Sequence, residues 1–334
     1  MNRRIGWAAL ALASALAFGS CSAGDLVAST SSQSGTQSPN LDAERVTEVL
    51  ASVQDAVNKA DEAKDAKLLE GRVSEGAARV RAAQYAYSTA SGDTVPAIDL
   101  TEQNVAVTNS QEWPRAILNI RQASASDLPV VEIFVQDDAR STYSLVAWCR
   151  MLGGTSVTIP SIDEGSTYVS NDSAGFTMTP AEALTAYVDM LNAGQASNEK
   201  FATDEFTANY LDTAKALASS LQAAGSVTAN AQVADYPISG VVLQDGSALV
   251  AANFTYTLTY ARTVAGSTMR LGGQTATMNA GDEDTVKGTA TATYVATVLI
   301  DIPSAAQGGV GRIVGADRVI ESVTTDESSN PDNQ

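Results

Sequence analysis

Several residue groups in this 334-residue chain have the types and spacing that chemistry uses. Ser197-Asn198-Glu199-Lys200 has the Ser-x-x-Lys spacing in which a lysine supports a serine nucleophile. That arrangement also needs a Lys-Thr-Gly strand. The near match here, Lys287-Gly288-Thr289, has the wrong order, and Ser197 falls between two predicted helices. Gly308-Gly309-Val310-Gly311 has the glycine density of a phosphate loop, but a strand follows it, with no helix N-terminus to meet a phosphate. Asp282-Glu283-Asp284, beside Asn279 and Gly281, offers oxygen ligands for calcium without the alternating acids of a twelve-residue loop. It reads as an exposed acidic turn, as does Asp137-Asp138. No catalytic residue, metal ligand or cofactor site is therefore assigned from these motifs. Tyr256, Tyr260 and Tyr294 lie on apolar strand faces, where a tyrosine paired with a carboxylate can do acid–base work without histidine.

Composition narrows the chemistry further. The chain has no histidine, which removes Ser-His-Asp and Cys-His pairs and the commonest zinc ligand. Its 38 acidic against 20 basic residues give a formal charge of −18, which argues against nucleic acid as a partner, because that affinity comes from a basic surface. Hydrophobic residues at 44% and charged residues at 17% are those of a folded body, so the acidity is not a sign of disorder.

The N-terminus has the layout of an export signal. Arg3 and Arg4 precede an apolar stretch, Ile5 to Phe18, that is short of the roughly 18–20 residues needed to span a bilayer. Phe18-Gly19-Ser20-Cys21 resembles the lipobox of bacterial lipoproteins, with Phe18 in place of the usual aliphatic residue. The resemblance implies a signal peptide over residues 1–20, cleavage before Cys21 and lipidation of its sulfur, with two acyl chains (palmitate-like) that suffice for stable anchoring. Loss of residues 1–20 removes two arginines and no acid, leaving a formal charge of −20 on the rest. An anionic bilayer repels such a body, so the lipid must hold it there. Residues 21–40 read as a flexible tether with a reach on the order of 24 Å. Cys149 then has no partner, and its place in the apolar row Tyr143, Leu145, Ala147, Cys149 and Met151 predicts a buried, inert thiol.

Beyond the tether, the pattern predicts an α+β chain of two tandem units, 41–160 and 179–324, joined by a linker at 161–178 and ending in a disordered tail at 325–334. Asn40 is placed to cap a helix carrying Val46, Val49, Leu50, Val53 and Val57, and Ser74 to open a second. Strand-like runs follow at 104–108, 115–121, 129–136 and 141–152. In the second unit Thr179-Pro180-Ala181-Glu182 is a capping box, and Gly194 closes its helix. A helix after Thr203 carries Tyr210, Leu211 and Leu217. Long alternating runs at 250–262, 289–302 and 311–323 predict antiparallel strands with one buried and one wet face, interrupted by an inserted hairpin at 265–287.

Helices followed by long antiparallel strands resemble the cone-shaped nuclear-transport-factor-like (cystatin-like) fold. The resemblance covers most of 179–323 and extends less fully to the first unit. Val135 to Arg140, with Tyr143, Leu145, Trp148 and Arg150, is also similar to a segment of actinobacterial lipoproteins of unknown function. The resemblances imply an extracytoplasmic protein anchored by lipid to the outer face of the cytoplasmic membrane. The expected role is non-catalytic, presenting a surface or pocket to an envelope protein or small ligand. The alternative is an isomerase- or dehydratase-type enzyme with a carboxylate–tyrosine site in one cone. A third reading, a solute-binding lipoprotein feeding a transporter, lacks the alternating β and α units such receptors use.

Overall fold

The computed structural model describes residues 38–279 and 284–333. The predicted signal peptide, Cys21 and most of the tether lie outside the described residues, as do Asp282 and Glu283. Helix α1 (Ala43–Ala63) buries Val46, Leu50, Val53, Val57 and Ala60 along one stripe. Its cap is Asp42, whose side chain accepts from the Arg45 N–H, rather than Asn40. The Asn40 side chain instead donates to the Ser110 carbonyl and accepts from Thr108, so it fastens the chain entry to the sheet. Ser74 does precede α2 (Glu75–Ser91), but its hydroxyl pairs with Ser144 rather than with a helix N–H.

Four antiparallel strands follow: β1 (Asn104–Val107), β2 (Arg115–Arg121), β3 (Val130–Gln136) and β4 (Ser144–Arg150). A two-residue strand, β5 (Tyr168–Val169), leads to α3 (Pro180–Asn192), opened by the predicted capping box, and α4 (Glu205–Leu221). Then come β6 (Gly225–Val233), β7 (Ser239–Val242), β8 (Ala248–Arg262), α5 (Gly273–Met278), β9 (Thr289–Ile302) and β10 (Arg312–Asp326). The second sheet runs β10-β9-β8-β7-β5, with β6 paired to the other half of β8, and all of its pairings are antiparallel. The chain is thus α+β with antiparallel sheets. The inserted segment at 265–287 holds α5 between short pairings of Met269 with Val286 and of Leu271 with Asp284.

The two sheets pack face to face. Leu118, Val131, Ile133 and Cys149 from the first meet Val241, Leu249, Leu299 and Val314 from the second. The outer face of the first sheet buries Ile117, Phe134 and Leu145 against α1 and α2. The outer face of the second buries Phe254, Tyr256, Val298 and Ile300 with α3 and α4. This changes the expected alternation. β8 is buried on both faces from Ala248 to Phe254 and alternates only beyond that, where Thr255, Thr257 and Thr259 are half-buried.

A β-bulge explains a second departure. Ile133 pairs with Ala147 and Phe134 with Leu145, so Val146 is an extra residue in β4. The row expected on one face therefore splits: Tyr143 and Leu145 face the helices, whereas Ala147, Cys149 and Met151 face the second sheet. The same shift carries Trp148 to the helix side.

Residues within 161–178 and 325–333 are tied into the body. Ser166 donates to the Val242 carbonyl, and its backbone bonds to Val107 and Asn109. Asn330 and Asp332 accept from Arg262, which is 5% exposed. Helix α2 touches both sheets, with Val80 and Ala83 against Val295 and Arg79 forked onto Glu321. This contact needs a bare backbone at Gly76, where a Cβ would lie 2.0 Å from Asn253 Oδ1. Gly76→Ala is expected to destabilise the protein by about 1–3 kcal/mol, read from urea-unfolding midpoints. An unchanged midpoint would mean that α2 shifts without cost.

Candidate functional site

The sequence motifs do not converge. Ser197 and Lys200 lie in the loop between α3 and α4, and Gly308 to Gly311 form the irregular link into β10, with Gly311 bridged to Phe201. Of the three tyrosines singled out, two come together, and Tyr260 is buried in the same core without a ring contact to them among the described residues. Tyr256 and Tyr294 stack at 4.7 Å with an interplanar angle of 2°, and Tyr210 meets Tyr256 edge-on. Their hydroxyls, however, do not face a carboxylate. Tyr256 accepts from the Arg318 guanidinium, and the Tyr294 hydroxyl lies 3.3 Å from that of Thr275. Burial pushes the Tyr256 phenol upward, further from ionisation. A carboxylate–tyrosine bond does occur in the first half, where Tyr85 on α2 donates to Asp61 on α1 at 2.7 Å. Arg81, 1% exposed, closes the same group by pairing with Asp61, which fixes the two helices to each other.

The site with unspent chemistry is a cavity of about 420 Å³ between α2, the segment 96–99, the first sheet and the β9–β10 pair. Its lining includes Val80, Ile98, Val130 and Trp148 as apolar wall and Glu132 and Thr297 as polar groups. Glu132 interrupts an otherwise apolar strand, Val130-Val131-Glu132-Ile133-Phe134-Val135, and is fully buried. In register it lies between Asn119 on β2 and Trp148 on β4. Its Oε2 accepts from Asn119 Nδ2 at 2.8 Å, while Oε1 is buried without a partner. Asn119 is itself fixed by the Thr101 carbonyl and the Gln103 N–H, so it cannot swing to serve both oxygens.

Two of the three arginines that line the cavity form ion pairs with aspartates. Arg121 pairs with Asp99 at 3.2 Å, and Arg150 with Asp317 at 2.8 Å. Arg318 contributes to the wall, but its guanidinium lies over the Tyr256 and Tyr294 rings. Loss of hydration raises the Glu132 carboxyl to about 8; the Asn119 hydrogen bond and Arg121 pull it down and Asp99 pushes it up. The side chain is thus mostly protonated at neutral pH. It can donate a hydrogen bond, hold a proton for transfer, or ionise if a cation enters. Sequence reasoning passed over Glu132; the available signal was one acid inside an apolar strand run.

Cys149 is buried and unpaired, and burial pushes its thiol well up. No family model, curated protein or solved structure matches the chain. Among the described residues no helix is long and apolar enough to cross a membrane.

Two predictions follow from the burial of these groups. Because the folded state keeps the Glu132 proton up to pH about 8 while the unfolded chain releases it near 4.5, stability falls as pH rises across that window. The loss is on the order of 4 kcal/mol and should vanish in Glu132→Gln, compared by urea unfolding at pH 5 and pH 8.5. Second, peptide mapping after maleimide treatment should find Cys149 unlabelled in the native protein and labelled after denaturation. Labelling of the native thiol would contradict its placement between the sheets.

Proposed function

We propose that this protein is a lipid-anchored cell-envelope binding protein. Cys21 carries the anchor, and the body presents the Glu132 cavity to a small ligand outside the cytoplasmic membrane. The observation that carries the binding reading is the cavity itself, with a buried carboxyl whose second oxygen is unpartnered. The anchor rests on Phe18-Gly19-Ser20-Cys21 and on a body whose negative charge opposes adsorption to anionic lipid. The same charge opposes nucleic-acid binding.

In this reading the body is two cone-like units of the nuclear-transport-factor-like kind. The support is the order of elements: α1 and α2 precede the β1–β4 sheet, and α3 and α4 precede β6–β10 and pack on that sheet. The ligand then sits at the junction of the units rather than inside a cone, since stacked Tyr256 and Tyr294, Tyr210 and Arg318 occupy the interior of the second.

The isomerase- or dehydratase-type alternative has one observation in its favour, a carboxyl that keeps its proton at neutral pH. It lacks the tyrosine partner, because the Tyr256 hydroxyl is engaged by Arg318. The non-catalytic reading is therefore preferred.

Mass analysis of the N-terminal peptide of membrane-extracted protein tests the anchor. The expected species begins at Cys21 and carries a diacylglyceryl thioether, and Cys21→Ser should move the protein from the membrane to the soluble fraction. An unmodified Cys21 peptide would remove the anchor.

A further inference from the structure

We propose that the outer edge of β6 docks a second copy of this chain, the two β6 strands pairing antiparallel about a two-fold axis at Val227. The proposal goes beyond the function above and is independent of the anchor and of the Glu132 cavity.

Four observations lead there. First, β6 has an open side. It pairs with β8 in unbroken register, so alternate residues turn their N–H and C=O groups toward β8 or away from it. Ala231 turns away, because the Asn192 side chain at the end of α3 takes both its N–H and its carbonyl. Gly225, Val227 and Ala229 therefore turn away too, and among the described residues their outward groups have no hydrogen-bond partner. The side chains of Val227 and Ala229 pack inward, while those of Ser226, Thr228 and Asn230 are exposed. Second, other sheet edges are covered. The Leu152 N–H and the Thr155 hydroxyl reach the Val314 carbonyl on β10, and Ser166 and Asn40 close the end of β1 at Val107 and Thr108. β6, by contrast, has no charge, proline or bulge of the kind that protects an edge. Third, apolar side chains flank it. Val233 and Val264 are each 45% exposed at opposite ends of this edge, Val264 fixed there by its N–H bond to the Ala224 carbonyl. Helix α4, which leads into β6, buries only Thr207 and Tyr210 and leaves Leu217 and Leu221 half-buried. Fourth, residues 206–233 carry Asp212 and Lys215 as their only charges, in a chain of formal −18.

The edge is complementary to itself, and that selects the partner. An antiparallel pair centred on Val227 sets Gly225 of each copy opposite Ala229 of the other, so each outward N–H meets a carbonyl. Ala231, held by Asn192, falls opposite Ala223, which lies before the strand, so the blocked residue is not asked to pair. The same register carries Val233 of each copy past Gly225 of the other, toward the end where Leu221 and Val264 lie. Two bodies of formal −18 repel each other and meet most readily where local charge cancels, as it does over 206–233. A basic partner drawn in by the field would find one carboxylate there, Asp212, with Lys215 one turn further on. The paired stretch is short, so the dimer exchanges with monomer.

The test uses the full chain in nonionic detergent, with micelles in large excess so that two chains do not share one by chance. Sedimentation over about 1–300 µM protein should show monomer passing into dimer. Thr228→Lys, an exposed change that sets like charges across the axis, should move that transition at least tenfold higher in concentration and leave the urea-unfolding midpoint unchanged. Mixed Ser226→Cys and Thr228→Cys chains should cross-link under mild oxidation, because the two positions face each other at roughly 5 Å between Cβ atoms. Gln232→Cys chains, whose thiols lie roughly 30 Å apart in the pair, should not. The wild-type sedimentation needs no variant, so a misfolded substitution would not rescue the proposal. Monomer at every concentration overturns it, as does cross-linking of Gln232→Cys chains as readily as of the mixed pair. Slow amide exchange at Val227 and Ala229 in a monomer would assign the edge to another part of the same chain and overturn it too. The anchor and cavity readings are untouched by any of these results.

Discussion

The dry seam between the two sheets is the constraint on which the remaining architecture depends. Where it runs, Ala248 to Phe254 and much of β9 have no wet face, and neither do the central strands of the first sheet. Strands buried on both sides must place every peptide group in the ladder and every side chain in apolar contact. An ionisable group in that setting is either matched or held neutral. Asp301 shows the first solution, paired with Arg312 at the end of β9. Glu132 shows the second, and so the seam's neighbourhood creates the most unusual titrating group described above.

Much of the architecture is legible in local sequence. The capping box at Thr179, the spacing of Val46, Leu50, Val53 and Val57, and the alternation through Tyr256, Leu258 and Tyr260 each reflect a rule that acts within a few residues. What is not legible depends on partners distant in sequence. Asn40 has the chemistry of a cap, yet Thr108 and Ser110 claim it. Thr255 to Thr259 alternate as predicted, yet residues 248–254 do not, because the first sheet covers them.

The candidate site was less legible still. Histidine-free composition turned attention to tyrosines, and the structure does cluster Tyr256 and Tyr294, but around a guanidinium. The informative residue was an acid inside an apolar strand run, a signal that marks Glu132 as unusual without saying what covers it. Strand period two places Glu132 on one face with Phe134 and Val130, and nothing local says that this face is roofed by α2 and the 96–99 segment. Its partner Asn119 lies thirteen residues upstream, on the paired strand.

The bulge at Val146 has a consequence for how this chain can change. Beyond it, Trp148 lines a cavity while Cys149 enters the seam. Deleting Val146 would turn the bulge into a regular ladder and leave every later side chain of β4 on its present face, because Leu145 and Ala147 already oppose the consecutive residues Phe134 and Ile133. The spare residue gives β4 slack that β3 lacks: a three-base deletion in the coding sequence can be absorbed at the bulge, whereas the same loss within β3, which pairs with β2 without a break, would turn its later side chains to the wrong face.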